Sequence, residues 1–131
     1  MISASLANMH DVLRDGGVLI LHGLNYDKRL KDKPRWFAVN SGMLEGKETL
    51  VWRFADYAAS LITFNIALFM NNAQSEWSVQ VQSTLQRPYQ KQELQELLSR
   101  AGFREMNFFG SLQGESFNPE RSDDLVVVAM S

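Results

Sequence analysis

The chain has 131 residues, 45% of them hydrophobic and 21% charged, which is enough to bury the core of a single domain, residues 1–131. A net charge of −2 argues against a nucleic-acid partner, and no apolar run approaches the ~20 residues of a membrane span. The absence of cysteine excludes disulfides and cysteine-ligated zinc and fits a cytoplasmic protein. The only two histidines, His10 and His22, lack the spacing of a helical metal site.

The amino-terminal part predicts a helix followed by a strand. Apolar side chains recur every three or four positions over residues 3–14, which is typical of a helix, and the glycines at 16 and 17 end it. Residues 18–21, in the stretch GVLIL, have no polar alternate. They predict a strand buried on both faces, as in a parallel sheet that helices cover.

The middle of the chain predicts an antiparallel meander. After a polar stretch to about Lys47, three strands with short connecting turns are expected between residues 48 and 89. The last strand should have one wet face and one buried face, the latter with Trp77, Val79 and Val81. A helix over residues 56–70 is the alternative, because several aromatic and aliphatic side chains there fit a helical period.

The carboxyl-terminal part predicts a helix and two strands. Residues 91–101 carry a leucine stripe opposite charged side chains, and Gly102 follows as a helix stop. The stretch REMNFFGSL predicts a strand, QGESFNPERSDD a loop, and LVVVAM a buried last strand.

Several segments in this order resemble the carboxyl half of a class I S-adenosylmethionine (SAM)-dependent methyltransferase: LRDGGVLIL, NYD, RPYQKQELQELLSRAGF, FFG, SFNPERSDD and LVVVAM. The resemblance implies an α/β fold with a partial Rossmann-like sheet. That sheet would hold the family's fifth, seventh and sixth strands, with the seventh antiparallel between the others. Helices 3–14 and 91–101 would cover it, and residues 48–89 would be an antiparallel β insert.

The resemblance also implies that the chain lacks the half that binds the cofactor. Such enzymes hold SAM mainly with a glycine-rich turn and an acidic residue in their amino half, and neither stands at the required place in this sequence. The chain is therefore expected to be a piece of a longer enzyme, inactive alone and unable to bind SAM well. NYD after the strand resembles enzymes that methylate glycine or sarcosine, which implies a small-molecule methyl acceptor.

Five residues are candidate site residues under this resemblance. Asn25 and Tyr26 follow a strand at its carboxyl end, where open α/β sheets bind ligands, and they are expected to contact the acceptor. His22 is expected near the cofactor and could take up a departing proton. Arg53 and Arg87 could bind a substrate carboxylate. For each residue a structural role is the alternative. Asn25 and Tyr26 could cap a turn, and His22 could make a hydrogen bond at the end of its strand. Arg53 could be a solvated side chain, and Arg87 could bond to the sheet.

A strand at 18–21 without a neighbour on one side presents an open edge, and open edges associate. The sequence therefore predicts a homodimer, joined through the edge of strand 18–21 or by exchange of the insert. The alternative function is a non-catalytic dimerisation or ligand-binding domain that keeps the methyltransferase scaffold. An unrelated α+β binding domain remains only if the strand order differs from the one above.

Overall fold

The computed structural model describes residues 2–131, which form two compact units. The α/β unit runs up to Asp32 and resumes from Tyr89 to Ser131, and the β unit is Lys33–Pro88. In chain order the elements are α1 (Ile2–Val12), β1 (Val18–Leu24), α2 (Tyr26–Asp32), β2 (Asn40–Leu44), β3 (Lys47–Ala58), β4 (Leu61–Asn71), β5 (Trp77–Gln86), α3 (Lys91–Arg100), β6 (Arg104–Phe109) and β7 (Asp124–Met130). No helix within residues 2–131 is long and apolar enough to cross a membrane.

The α/β unit contains a three-stranded sheet in the order β1-β7-β6. β7 is antiparallel to both neighbours, so β1 and β6 run parallel to each other. α1 and α3 pack on one face of this sheet and form its core, whose buried members are Leu6, Leu94, Leu98, Phe103, Leu125, Val127 and Ala129. The predicted α/β fold, with its last strand inserted between the other two, is confirmed.

Helix α3 ends at a glycine that no other residue could replace without strain. The N–H of Gly102 donates to the carbonyl of Ser99, and the N–H of Phe103 donates to the carbonyl of Leu98. Gly102 has φ +102°, a conformation that side chains disfavour. A Cβ at this position would also lie 2.9 Å from Nε2 of His10. The predicted helix stop is therefore confirmed, and it is also a point of close contact with α1.

Strand β1 is buried on one face only, so the prediction that both faces are buried is wrong. Leu19 and Leu21 pack against the core, whereas Val18 and Ile20 are 48% and 60% exposed. The reason is that α1 and α3 lie on the same side of the sheet. An unbroken apolar run indicates that a strand can be buried on both faces. It does not show that another element packs on the second face.

The β unit is a four-stranded antiparallel sheet in the order β2-β3-β4-β5. The three predicted strands of the meander are confirmed as β3, β4 and β5, and the helical alternative for residues 56–70 is wrong. β2 is an addition, since its residues lie in the polar stretch for which no strand was predicted. Glu45 and Gly46, both with positive φ, form the two-residue turn that pairs β2 with β3.

Strand β5 has no buried face, contrary to the prediction. The apolar side chains of one face are all exposed: Trp77 46%, Val79 53%, Val81 57% and Leu85 64%. β5 is the terminal strand of its sheet and pairs only with β4 among the described strands. The alternation of apolar and polar residues shows which side chains share a face, but it does not show that the apolar face is covered.

Candidate functional site at the carboxyl end of strand β1

Asn25 lies directly after β1 and begins helix α2. Its carbonyl accepts the N–H of Arg29, and its side-chain Oδ1 accepts the N–H groups of Asp27 at 3.1 Å and Lys28 at 3.4 Å. This is the geometry of a helix N-cap, in which a side-chain oxygen satisfies backbone donors of the first turn. The cap explains why the polar run after β1 forms a short helix.

The other side of the same amide holds a distant loop. Nδ2 of Asn25 donates to the carbonyls of Ser122 at 2.8 Å, Pro119 at 3.0 Å and Asn118 at 3.4 Å, and its backbone N–H donates to the carbonyl of Asp123. The residue is fully buried, at 0% exposure. Asn25 therefore ties the end of β1 to the loop before β7, which is the structural alternative raised for it. Its contact with a substrate stays a prediction.

The loop before β7 also folds on its own bonds. Oδ1 of Asn118 accepts the N–H groups of Glu120 and Arg121, and Oγ of Ser122 accepts the N–H of Asn118. Ion pairs join the loop to α2: Lys28 Nζ lies 2.7 Å from Asp123 Oδ1, and Lys31 Nζ lies 3.4 Å from Glu120 Oε1. Residues 118–123 and α2 therefore form one connected rim around the end of β1.

The ion pair between Lys28 and Asp123 should change the titration of the Asp123 carboxyl. The hydrogen bond from Lys28 and its positive charge hold the pKa of the Asp123 carboxyl below its ordinary value. Because the native pKa is lowered, the pair stabilises the fold above the unfolded value of about 3.9, and this contribution is lost as the pH falls through the native pKa. In an NMR titration, Lys28→Met should raise the Asp123 pKa, whereas Lys31→Met should leave it low. An unchanged Asp123 pKa in Lys28→Met would contradict this.

His22 lies on β1 beside the start of β7. Its Nε2 is 2.9 Å from Oδ2 of Asp124, and both side chains are partly exposed. An ionised carboxylate only accepts, so Nε2 donates, and the neutral ring then carries its lone pair on Nδ1. Nδ1 makes no hydrogen bond within residues 2–131. The pair could therefore accept a proton at Nδ1 while Asp124 orients the ring. Contact with a cofactor stays a prediction.

Asp27, on the first turn of α2, caps the next helix. Its Oδ2 accepts the N–H of Lys91 at 3.0 Å, at the first residue of α3. Gln90, the N-cap residue of α3, makes no capping hydrogen bond with its own side chain. Asp27 therefore has a structural role, through an amide that lies 64 positions away in the sequence.

Removing this cap should weaken the attachment of α3. Asp27→Ala leaves the N–H of Lys91 without its acceptor, and we expect a loss of about 1 kcal/mol in the free energy of unfolding. Urea denaturation measures the loss, and the exchange rate of the Lys91 amide proton should rise. Asp15→Ala, at an exposed aspartate in the turn before β1, serves as the control. Equal stability of the two variants would show that the cap contributes nothing.

The remaining predicted site residues lie at separate places. Tyr26 is half-buried at the start of α2, in the α/β unit. Arg53 is exposed in the middle of β3, opposite Ile66 of β4. Arg87 is exposed just after the end of β5. The structure therefore brings His22, Asn25 and Tyr26 together in one unit, and it places the two arginines at different points of the other. Substrate binding by Tyr26 and the arginines stays a prediction.

A polar row across the β unit was missed by sequence reasoning. Arg35 Nη2 lies 3.2 Å from Asp56 Oδ1, Asn65 Nδ2 donates to Asp56 Oδ2 at 3.0 Å, and Ser83 Oγ donates to Asn65 Oδ1 at 2.6 Å. Asn65 is buried. The signal that could have found this row is the presence of Asp56 and Asn65 inside otherwise apolar strands.

An aromatic cluster adjoins this polar row. Trp36 stacks on Trp52 with ring centroids 5.5 Å apart and an interplanar angle of 19°, and Phe54 contacts both rings. The guanidinium of Arg35 lies 4.6 Å from the centroid of Trp36. These contacts attach the segment before β2 to β3, together with the Trp36–Phe54 bridge. Their first role is therefore structural.

The polar groups at the end of β1 are used largely within the fold. At the end of β1, the Asn25 amide is fully used by the α2 cap and the loop, and Nε2 of His22 is bound to Asp124. The glycines with positive φ lie in turns after helices, within the β hairpin and in the loop after β6. Among residues 2–131, no group of three or more histidine, aspartate or glutamate side chains is placed to hold a metal.

Comparison with solved structures identifies the fold. A SAM-dependent methyltransferase from Clostridium acetobutylicum matches 98% of this chain with a TM-score of 0.71 and 11% identity, over 50% of its own length. The chain has the fold of half a methyltransferase. No family model and no curated protein sequence matches it.

Two further methyltransferase structures match to the same extent. An amino pentose methyltransferase from Micromonospora echinaspora, solved with SAM bound, matches 99% of the chain with a TM-score of 0.65 and 18% identity, over 50% of its length. A sugar N-methyltransferase from Streptoalloteichus matches 99% with a TM-score of 0.66 and 15% identity, over 49% of its length. The chain thus spans about half the length of the methyltransferase structures that it matches.

Proposed function

We propose that the chain is the acceptor-side half of a SAM-dependent methyltransferase, and that the complete enzyme works in the cytoplasm on the amine of a small molecule. The fold carries the proposal: the chain matches a methyltransferase over 98% of its residues, including a sheet whose last strand is inserted between two parallel strands. Because identities are 11–18%, the fold argues for the class of reaction, and the acceptor must be found by assay.

Amino sugars are the first acceptors to test. Two of the matching enzymes are by name an amino pentose methyltransferase and a sugar N-methyltransferase. Glycine and sarcosine come second, on the NYD stretch after β1. Methyl transfer to an amine requires alignment of the nitrogen with the methyl group and a route for the departing proton. His22 could provide that route at Nδ1, with Asp124 orienting its ring.

The open edge of β1 is the place where the other half of the enzyme would add. In the described sheet β1 pairs only with β7, so the hydrogen-bonding groups on its other side are available to a further strand. Pairing of two copies through this edge, as expected from the sequence, remains a second use of it.

Two measurements test the proposed function. Calorimetric titration of the 131-residue chain with SAM should give no heat, whereas micromolar binding would show that the chain builds a cofactor site alone and is not a half. The product of the longest reading frame that contains this sequence should convert SAM to S-adenosylhomocysteine with an amino sugar, glycine or sarcosine. If this longer product failed to bind SAM, or methylated none of these amines, the proposal would be contradicted.

A non-catalytic dimerisation or ligand-binding domain is the second candidate function. The observation that favours it is the internal use of the Asn25 amide and of His22 Nε2, which leaves few free polar groups at the end of β1. If the longest reading frame that contains this sequence encoded no glycine-rich turn after a strand, this candidate would be favoured over the methyltransferase.

A further inference from the structure

Strand β5 is an unprotected sheet edge. It runs for ten residues, WSVQVQSTLQ, without a charged residue, a proline or a glycine. Its register with β4 is unbroken from Trp77 to Gln86, so no bulge turns the edge away. Natural sheet edges usually carry at least one of these protections against pairing with another chain.

The other outer strands of the described sheets are protected or short. β6 is interrupted between Arg104 and Asn107, where Glu105 has φ +48°. β2 has five residues, one of them Gly42. β1 has seven residues, one of them Gly23, and its open edge is the place proposed above for the other half of the enzyme. β5 therefore stands out as the long, regular and uncharged edge within residues 2–131.

We propose that β5 is a homodimer interface, in which β5 of one chain pairs antiparallel with β5 of a second copy across a two-fold axis. A two-fold axis sets one residue opposite its own copy, so an axis at Val81 or at Gln82 pairs nine of the ten residues. These would make about nine hydrogen bonds between the chains, along about 30 Å. The two sheets would join into one continuous eight-stranded sheet. This proposal is independent of the proposed function.

The strand is complementary to itself, which is why the partner is a second copy. Opposite side chains of an antiparallel pair lie on the same face. With the axis at Val81, Val81 lies beside its own copy and Trp77 lies beside Leu85 of the other chain. On the polar face, serine, threonine and glutamine side chains likewise lie beside polar side chains of the other chain.

The flanking charges favour the same arrangement. Glu76 precedes β5 and Arg87 follows it. Antiparallel pairing sets the acidic end of one strand beside the basic end of the other, whereas parallel pairing would set like charges together. The charges therefore favour the two-fold antiparallel pair, and no charge within the strand opposes it.

The decisive experiment compares one lysine substitution at each of two edges by sedimentation velocity. The 131-residue chain should sediment with twice the mass of one chain. Val81→Lys, at the centre of β5, should be a monomer at the same concentration, because it sets two positive charges across the axis. Ile20→Lys, an equally exposed aliphatic residue on β1, should remain a dimer. Far-ultraviolet circular dichroism checks that both variants are folded.

A cysteine cross-link keeps the proposal testable if Val81→Lys does not fold. The chain has no cysteine, so one introduced thiol is unique. Positions 81 and 82 are at the centre of β5, where each residue can lie next to its own copy. At least one of the variants Val81→Cys and Gln82→Cys should therefore form an interchain disulfide under mild oxidation. Ile20→Cys is the control and should not form one.

Three results would overturn the proposal. The parent chain could be a monomer at every accessible concentration. Ile20→Lys could abolish the dimer while Val81→Lys keeps it, in which case the β1 edge predicted from the sequence is the interface. Efficient cross-linking through Ile20→Cys but through neither central β5 cysteine would lead to the same conclusion.

Discussion

Replacing Leu98 with alanine is expected to lower the free energy of unfolding by about 3 kcal/mol, within the usual range of 2–5 kcal/mol for a buried leucine. Leu98 is fully buried, at 0% exposure, in the core cluster that α3 shares with Leu6 of α1 and Val127 of β7. The substitution removes apolar contacts and leaves a cavity that the surrounding helices and strands fill only in part. Urea denaturation followed by circular dichroism measures the change.

Leu112→Ala is the matched control for Leu98→Ala. Leu112 is 66% exposed in the loop after β6, so the same chemical change there should cost less than about 0.5 kcal/mol. If both variants lost the same stability, Leu98 would not be a member of the core cluster described above. A loss below about 1 kcal/mol for Leu98→Ala would lead to the same conclusion.

Replacing Asn25 with alanine should also destabilise the protein by about 3 kcal/mol. The N-cap contributes about 1 kcal/mol, and each of the two Nδ2 hydrogens bonded to the loop contributes a similar amount. The loss should be accompanied by faster amide exchange in residues 118–123, because the loop loses its anchor. Asn8→Ala, at an exposed position of α1, is the control and should leave stability nearly unchanged.

Asn25→Asp separates the two roles of the amide. Aspartate keeps the acceptor that caps α2 but replaces Nδ2 with an oxygen that faces three carbonyls. We expect this variant to be about as unstable as Asn25→Ala, although aspartate is a good N-cap residue. Parental stability in Asn25→Asp would show that the loop contacts contribute nothing and that only the cap matters.

These substitutions also bear on function, because the same residues shape the end of β1. Asn25 and the 118–123 loop form a rim next to His22 and Asp124, the pair that could accept a proton from an amine. If the complete enzyme is a methyltransferase, loss of the loop should weaken acceptor binding even when the domain stays folded. Stability and activity should therefore be measured on the same variants.

Much of the fold could be predicted from local patterns. The leucine stripe of α3 and its glycine stop were confirmed because a helix buries residues at a period that sequence displays directly. The strands β3, β4 and β5 were confirmed by their β-branched and aromatic alternation. The short elements α2 and β2 were missed, because α2 depends on the Asn25 cap and β2 on pairing with β3.

The candidate site could be predicted only in part. Asn25 and His22 were found because they follow or end a strand, which is a local signal. Their partners lie 93 to 102 positions away, in the loop before β7 and at its first residue. No local pattern in either segment indicates the other, so Asp124 and Ser122 were not identified.

By itself, the sequence determined which residues form the main helices and strands and the apolar and polar faces of each, since both depend on neighbours within about four positions. It also carried the order of segments from which the methyltransferase fold was expected. Only the tertiary structure decided which faces are covered. β1 and β5 each have an exposed apolar face, because burial depends on what packs against a strand and not on the strand's own residues.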